Sequence, residues 1–226
     1  MSEFLRILED EVQIVALAFM AMVYTIRLIW MFRFKAGKEV TTSVGSPRVG
    51  AVYSLMNVAM PWAMESARKN LSFYVQFVIF HLGVLMAITA TFILPYWPEF
   101  FEPEYIVRIF QLSMGAAFAV GLIRLIRRIT SPVMRLISTP DDYFSVALLT
   151  VWFAAGVFAL PNTYEVSEWP LIIFFSLTTL FLIYVPFSKI SHYLYYPFTR
   201  YFLGKTMGHR GVFPRKKGGE KPAGLE

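Results

Sequence analysis

The 226-residue chain contains no cysteine. That excludes disulfides, thiolate-held metals and iron–sulfur clusters ligated by this chain alone. Histidine is nearly as scarce, at three residues, so an imidazole site has little to draw on. Only 16% of residues are charged, fewer than a soluble domain carries. No charge at all lies between Asn70 and Glu99. The acidic start, MSEFLRILEDE, lacks the basic flank of a secretory signal, so no cleaved signal is expected. No internal repeat is present either.

In place of these the chain is 57% hydrophobic and 17% aromatic, with a mean hydropathy of +0.55. A hydrocarbon core takes about 20 apolar residues of helix to cross. Five segments qualify: 12–32, 71–94, 105–126, 143–160 and 170–190. The expected fold is therefore an all-α integral membrane protein. A five-helix transmembrane bundle would occupy residues 1–204, followed by a basic tail, 205–226.

The net charge of +6 is confined to particular loops, which argues against nucleic acid as a partner. Arg33, Lys35, Lys38, Arg48, Arg68 and Lys69 lie between spans one and two. Arg124, Arg127, Arg128 and Arg135 follow span three, and the tail is basic. The loops PYWPEFFEPEY and PNTYEVSEW are acidic. By the positive-inside rule the N-terminus lies outside, on the periplasmic side, and the C-terminus in the cytoplasm. STPDDY reads as a helix start, with Ser138 or Thr139 as N-cap and Pro140 in the first turn. MNVAMPWAMESARKN, with its core at 56–68, reads as an amphipathic segment on the inner surface. The chain after Gly208 reads as extended.

His81, in VIFHLGVLMAI, lies within span two. An ionisable group at such depth is rare and raises a functional hypothesis. The plainer alternative is a neutral ring hydrogen-bonded within the helix bundle. His192, in VPFSKISHYLYYPF, follows span five on the cytoplasmic side, where an interfacial histidine is ordinary. Together the two suit bis-histidine ligation of one low-spin haem b, which transfers electrons and leaves no open coordination site. Counted along the helices, His81 lies about 10 Å deeper than His192, so tilt or an early start to span two must equalise them. His209, in the basic tail, reads as a surface residue or partner contact. No fourth histidine exists for a second such haem.

The motifs FHLGVLMAI and PFSKISH, in a five-span arrangement with the N-terminus outside, resemble the cytochrome b subunit family of respiratory nitrate reductase. That family includes membrane subunits of heterodisulfide reductase and of the sulfite-reductase-associated complex. The matching residues are Phe80, His81, Gly83, Pro186, Phe187, Ser188 and His192. MPWAMESARKNLSFYVQF and SPVMRLISTPDDYF are most similar to the branch found in the high-molecular-weight cytochrome c complex of sulfate reducers. The resemblance implies a subunit of the bacterial inner membrane exchanging electrons with menaquinone or a membrane partner. It further implies a cytoplasmic iron–sulfur subunit of the heterodisulfide reductase type, other membrane subunits, and a periplasmic multihaem cytochrome c. In the nitrate reductase subunit a second histidine pair holds an outer haem; the matching positions here are Thr91 and Phe174, so that haem is not expected.

Haem propionates seek cationic donors. Arg27 and Arg124 lie at suitable depth, although headgroup solvation explains such residues equally. Gly83 and Gly115 allow close approach of a macrocycle or a neighbouring helix. Met86 and Met114 read as packing residues. Two other functions compete. A haem-free membrane anchor would not need His81 or His192. A transporter is disfavoured because no acidic residue lies within a span.

Overall fold

A computed structural model describes residues 1–34, 37, 39–60 and 65–214. Expectations for Lys35 and Lys38, for 61–64 of the amphipathic segment, and for the tail from 215 lie outside the described residues. Those described form helices and no strands. In chain order the helices are α1 (Glu3–Glu9), α2 (Glu11–Arg33), α3 (Pro47–Met56), α4 (Glu65–Lys69), α5 (Leu71–Tyr96), α6 (Glu104–Thr130), α7 (Pro132–Ile137), α8 (Pro140–Ala159), α9 (Trp169–Tyr184) and α10 (His192–His209). Five are long and apolar enough to cross a membrane: Glu3–Arg33, Leu71–Tyr96, Glu104–Thr130, Pro140–Ala159 and Trp169–Phe187.

The chain divides into two compact units. One comprises Met1–Met31 and Val75–Ile190, the other Phe32–Tyr74 and Ser191–Glu226.

Lipid tails are as apolar as leucine, so helices in a bilayer associate through close packing and hydrogen bonds rather than apolar burial. The first unit follows that logic. A Cβ on Gly83 of α5 would stand 2.2 Å from that of Ala117 on α6. One on Gly121 of α6 would stand 2.3 Å from the Thr150 hydroxyl of α8, and one on Gly156 of α8 2.8 Å from the Met114 sulfur. The Trp152 indole N–H donates to Thr178 Oγ1 at 2.9 Å, joining α8 to α9, and its ring stacks on Phe174 at 5.9 Å. Gln13 of α2 donates through Nε2 to the Phe175 carbonyl at 3.0 Å and to Thr179 Oγ1 at 2.7 Å. Large apolar side chains point outward instead, among them Val15, Leu112 and Phe158, each at least 70% exposed.

The start of α8 is closed by Asp142, which accepts from both the amide and the hydroxyl of Thr139. Thr139 is the N-cap, Pro140 opens the first turn, and the Asp142 carboxylate accepts from the Thr139 amide at 2.8 Å. Lys189, just beyond α9, reaches that carboxylate with Nζ at 2.6 Å, and its amide donates to Asp141 at 2.9 Å. Tyr184 also donates to Asp141.

The second unit is built on α3 and α10, packed antiparallel with backbone against backbone. A Cβ on Gly50 would meet the Gly204 carbonyl oxygen at 2.4 Å and Gly208 Cα at 2.5 Å. Arg200 Nε donates to the Ser54 carbonyl at 3.1 Å. At the far end Arg210 pairs with Glu39 at 2.9 Å, and His209 Nε2 lies 2.7 Å from the Thr41 carbonyl. The expected boundary at 204/205 falls inside α10. Gly204 and Gly208 of α10, with Gly50 of α3, are the glycines that let the two helices touch.

Candidate functional site

His81 sits in the eleventh position of α5, on the turn where the helix divides its faces. Phe80, Gly83, Ala87, Ala90 and Leu94, at spacings of three, four and seven, are buried against the bundle. His81, one step round from Phe80, is exposed on another face. Its Nδ1 lies 2.7 Å from the carbonyl oxygen of Phe77, one turn earlier. A carbonyl only accepts, so Nδ1 carries the proton and the lone pair of the neutral ring lies on Nε2. The Phe77 ring holds the imidazole from the side, with centroids 4.1 Å apart.

Phe80 links this turn to the neighbouring helices. It meets Phe153 of α8 edge-on at 5.2 Å, and the Arg124 guanidinium of α6 lies over its ring at 5.4 Å. The structure thus brings Arg124 to the turn that carries His81. Arg27 lies elsewhere in the same unit, over the Phe187 ring at 5.4 Å. Gly83 is taken up by Ala117, so of its two expected uses the helix contact is the one observed. Gly115 has nothing within 4 Å of the Cβ position. Met114 is fully buried at the α6–α8 contact. His192 opens α10 and is exposed, and it belongs to the second unit.

Thr91 and Phe174, at the positions of the outer-haem ligands in the resembling family, are both buried. The Thr91 hydroxyl donates to the Ala87 carbonyl at 3.0 Å. Phe174 is wholly enclosed and stacked on Trp152. Among the described residues no group of three or more His, Cys, Asp or Glu side chains is gathered to hold a metal ion. Bis-histidine haem ligation needs only two.

The parts of this site that sequence reasoning passed over are Phe77 and the role of Phe80. The signal for Phe77 was present: a helical donor side chain finds its nearest acceptor at the carbonyl four residues back. For Phe80 there was none, since its partners come from α6 and α8.

A groove of about 480 Å³ runs between the first helices and α9, lined by Ile7, Glu11, Val15, Phe19, Thr179 and Ile183 among others. Its walls are almost wholly apolar.

No family model matches this chain, and no solved structure does. A protein of Nitratidesulfovibrio vulgaris (strain Hildenborough) is 29% identical over 162 residues, covering 69% of this chain and 70% of that protein.

Proposed function

We propose that this chain is a haem b-carrying membrane subunit of a respiratory redox complex. It passes electrons between the menaquinone pool, or a membrane partner, and a cytoplasmic iron–sulfur subunit of the heterodisulfide reductase type. The observation that carries the proposal is the hydrogen bond from His81 to the Phe77 carbonyl within an uncharged span. That bond fixes the tautomer in which Nε2 can donate to iron, and a back-side acceptor of this kind makes an imidazole a stronger ligand. His81 would thus hold the haem iron through Nε2. His192 is assigned as the second ligand on the sequence resemblance alone.

Bound haem would supply one-electron transfer without an open site for oxygen. The chain's own residues hold and orient it. Arg124, beside Phe80, offers a cation to a propionate, and Arg27 is the second candidate. The enclosed Thr91 and the Trp152–Phe174 stack favour one haem rather than two. The N-terminus would face the periplasm, where a multihaem cytochrome c is the implied partner. The basic stretch from Lys205 to Lys221 would meet the cytoplasmic subunit. The protein would lie in a bacterial inner membrane beside other membrane subunits.

A reduced-minus-oxidised visible spectrum with pyridine haemochrome quantitation tests this, on the complex and on His81→Ala. One haem b per chain in the natural protein, absent from the variant, is expected. A colourless natural complex would overturn the proposal and leave a haem-free membrane anchor as the better description.

A further inference from the structure

We infer that the second unit rests on the membrane surface through the exposed face of α3, and that it selects anionic phospholipid headgroups there. This stands apart from the haem proposal and needs only that the five apolar helices span a bilayer.

Three chain ends enter this unit: the end of span one at Arg33, the start of span two at Leu71, and the chain leaving span five after Phe187. Each span crosses once, so all three ends lie on one side of the membrane. The unit is therefore tethered at headgroup level at three points. On α3, Gly50 and Ser54 face α10, while Val49, Val52 and Met56 (51%, 63% and 55% exposed) form a stripe at helical spacing on the opposite face. Arg48, also exposed, flanks that stripe. On α10, Tyr196 and Leu203 are exposed seven residues apart, with Lys205 nearby. Tyrosine beside lysine and arginine on a short apolar stripe is the chemistry of the interface between headgroups and hydrocarbon.

The charge balance selects the headgroup. Among the unit's described residues, seven arginines and lysines stand against two glutamates. Both glutamates are already paired, Glu39 with Arg210 and Glu65 with Lys69. The remaining cations suit an anionic leaflet.

The absence of cysteine makes the test direct. A nitroxide on Val52→Cys in the full chain, and separately on Val49→Cys, is read by power saturation in nanodiscs. Collisions with oxygen report lipid and collisions with a soluble nickel chelate report water. Nanodiscs of phosphatidylcholine are compared with nanodiscs containing phosphatidylglycerol. The expected result is an oxygen-accessible label whose accessibility shifts further from nickel to oxygen when phosphatidylglycerol is added. Arg48→Glu combined with Lys205→Glu should abolish that shift. A water-accessible label in both nanodiscs would overturn the inference. So would a label shielded from both reagents, which would mean that protein covers the stripe. An oxygen-accessible label indifferent to lipid charge would overturn the headgroup selectivity.

Discussion

Substituting Gly50 by alanine adds one methyl group where the structure has no room for it. The three nearest atoms to the new Cβ are Gly204 O, Gly208 Cα and Gly208 N, at 2.4, 2.5 and 2.8 Å. All three are backbone, so no rotamer change relieves them. Ordinary carbon contacts begin near 3.4 Å, and α3 must retreat from α10 by about 1 Å to restore them. Overpacking of this kind costs about 1–3 kcal/mol. The better helix propensity of alanine returns about 0.5–1 kcal/mol. The net loss is about 1–2 kcal/mol, which raises the opened fraction of the second unit roughly 5- to 30-fold. Hydrogen exchange of the α3 amides in the full chain, in nanodiscs, reads that fraction as a faster rate. Gly115→Ala is the control, because nothing lies within 4 Å of its Cβ position. There the same methyl group should leave protection of α6 equal or greater. If Gly50→Ala exchanges like the natural protein, the two helices do not meet backbone to backbone and the account of this unit is wrong.

Other outcomes follow from single contacts. Thr178→Val keeps the shape but removes the acceptor of the buried Trp152 indole N–H, and should cost about 1 kcal/mol in detergent-titrated unfolding. Little or no loss would mean that the indole finds another partner. The Glu39 carboxyl is held below its ordinary range, chiefly by its hydrogen bond from Arg210 and then by Thr41. A depressed carboxylate contributes its stabilisation above the ordinary value of about 4.5 and loses it as pH falls through the lowered one. Proteolysis near residues 39–45 should therefore accelerate on acidification, and Glu39→Gln should remove that pH dependence. His81→Gln should abolish any haem absorbance while leaving the helical circular dichroism unchanged, since the ring is exposed rather than packed in the bundle.

The five spans were legible because each is a long apolar run without acidic residues; the structure starts the first nine residues earlier and ends the last two one and three residues sooner. The α8 start was equally plain, since capping is a local code and STPDDY contains all of it. The helix α1 was missed: EFLRILE is short and charged, and is carried by its Ser2 cap and by packing on α9. The α3–α10 pair was illegible for a different reason. Its two glycine faces lie about 150 residues apart in sequence, and neither helix is apolar enough to stand out. Around His81 the sequence marked the residue and its neighbour Gly83, and Arg124 as a possible companion. That Arg124 comes to Phe80 depends on how α6 packs on α5, which periodicity along one helix does not encode.

The separation of α3 and α10 also sets an order of events during synthesis. The segment carrying α3 leaves the ribosome right after span one, but its partner is made last. At about 5–20 residues per second, the interval between them is on the order of 10–30 seconds. Throughout that time the Gly50 face of α3 waits for α10, while the other four apolar helices are being made. The second unit therefore closes only after all five apolar helices have been made. A chain ending after span five would keep all its membrane helices yet leave α3 permanently unpaired, a ready signal for proteolytic quality control.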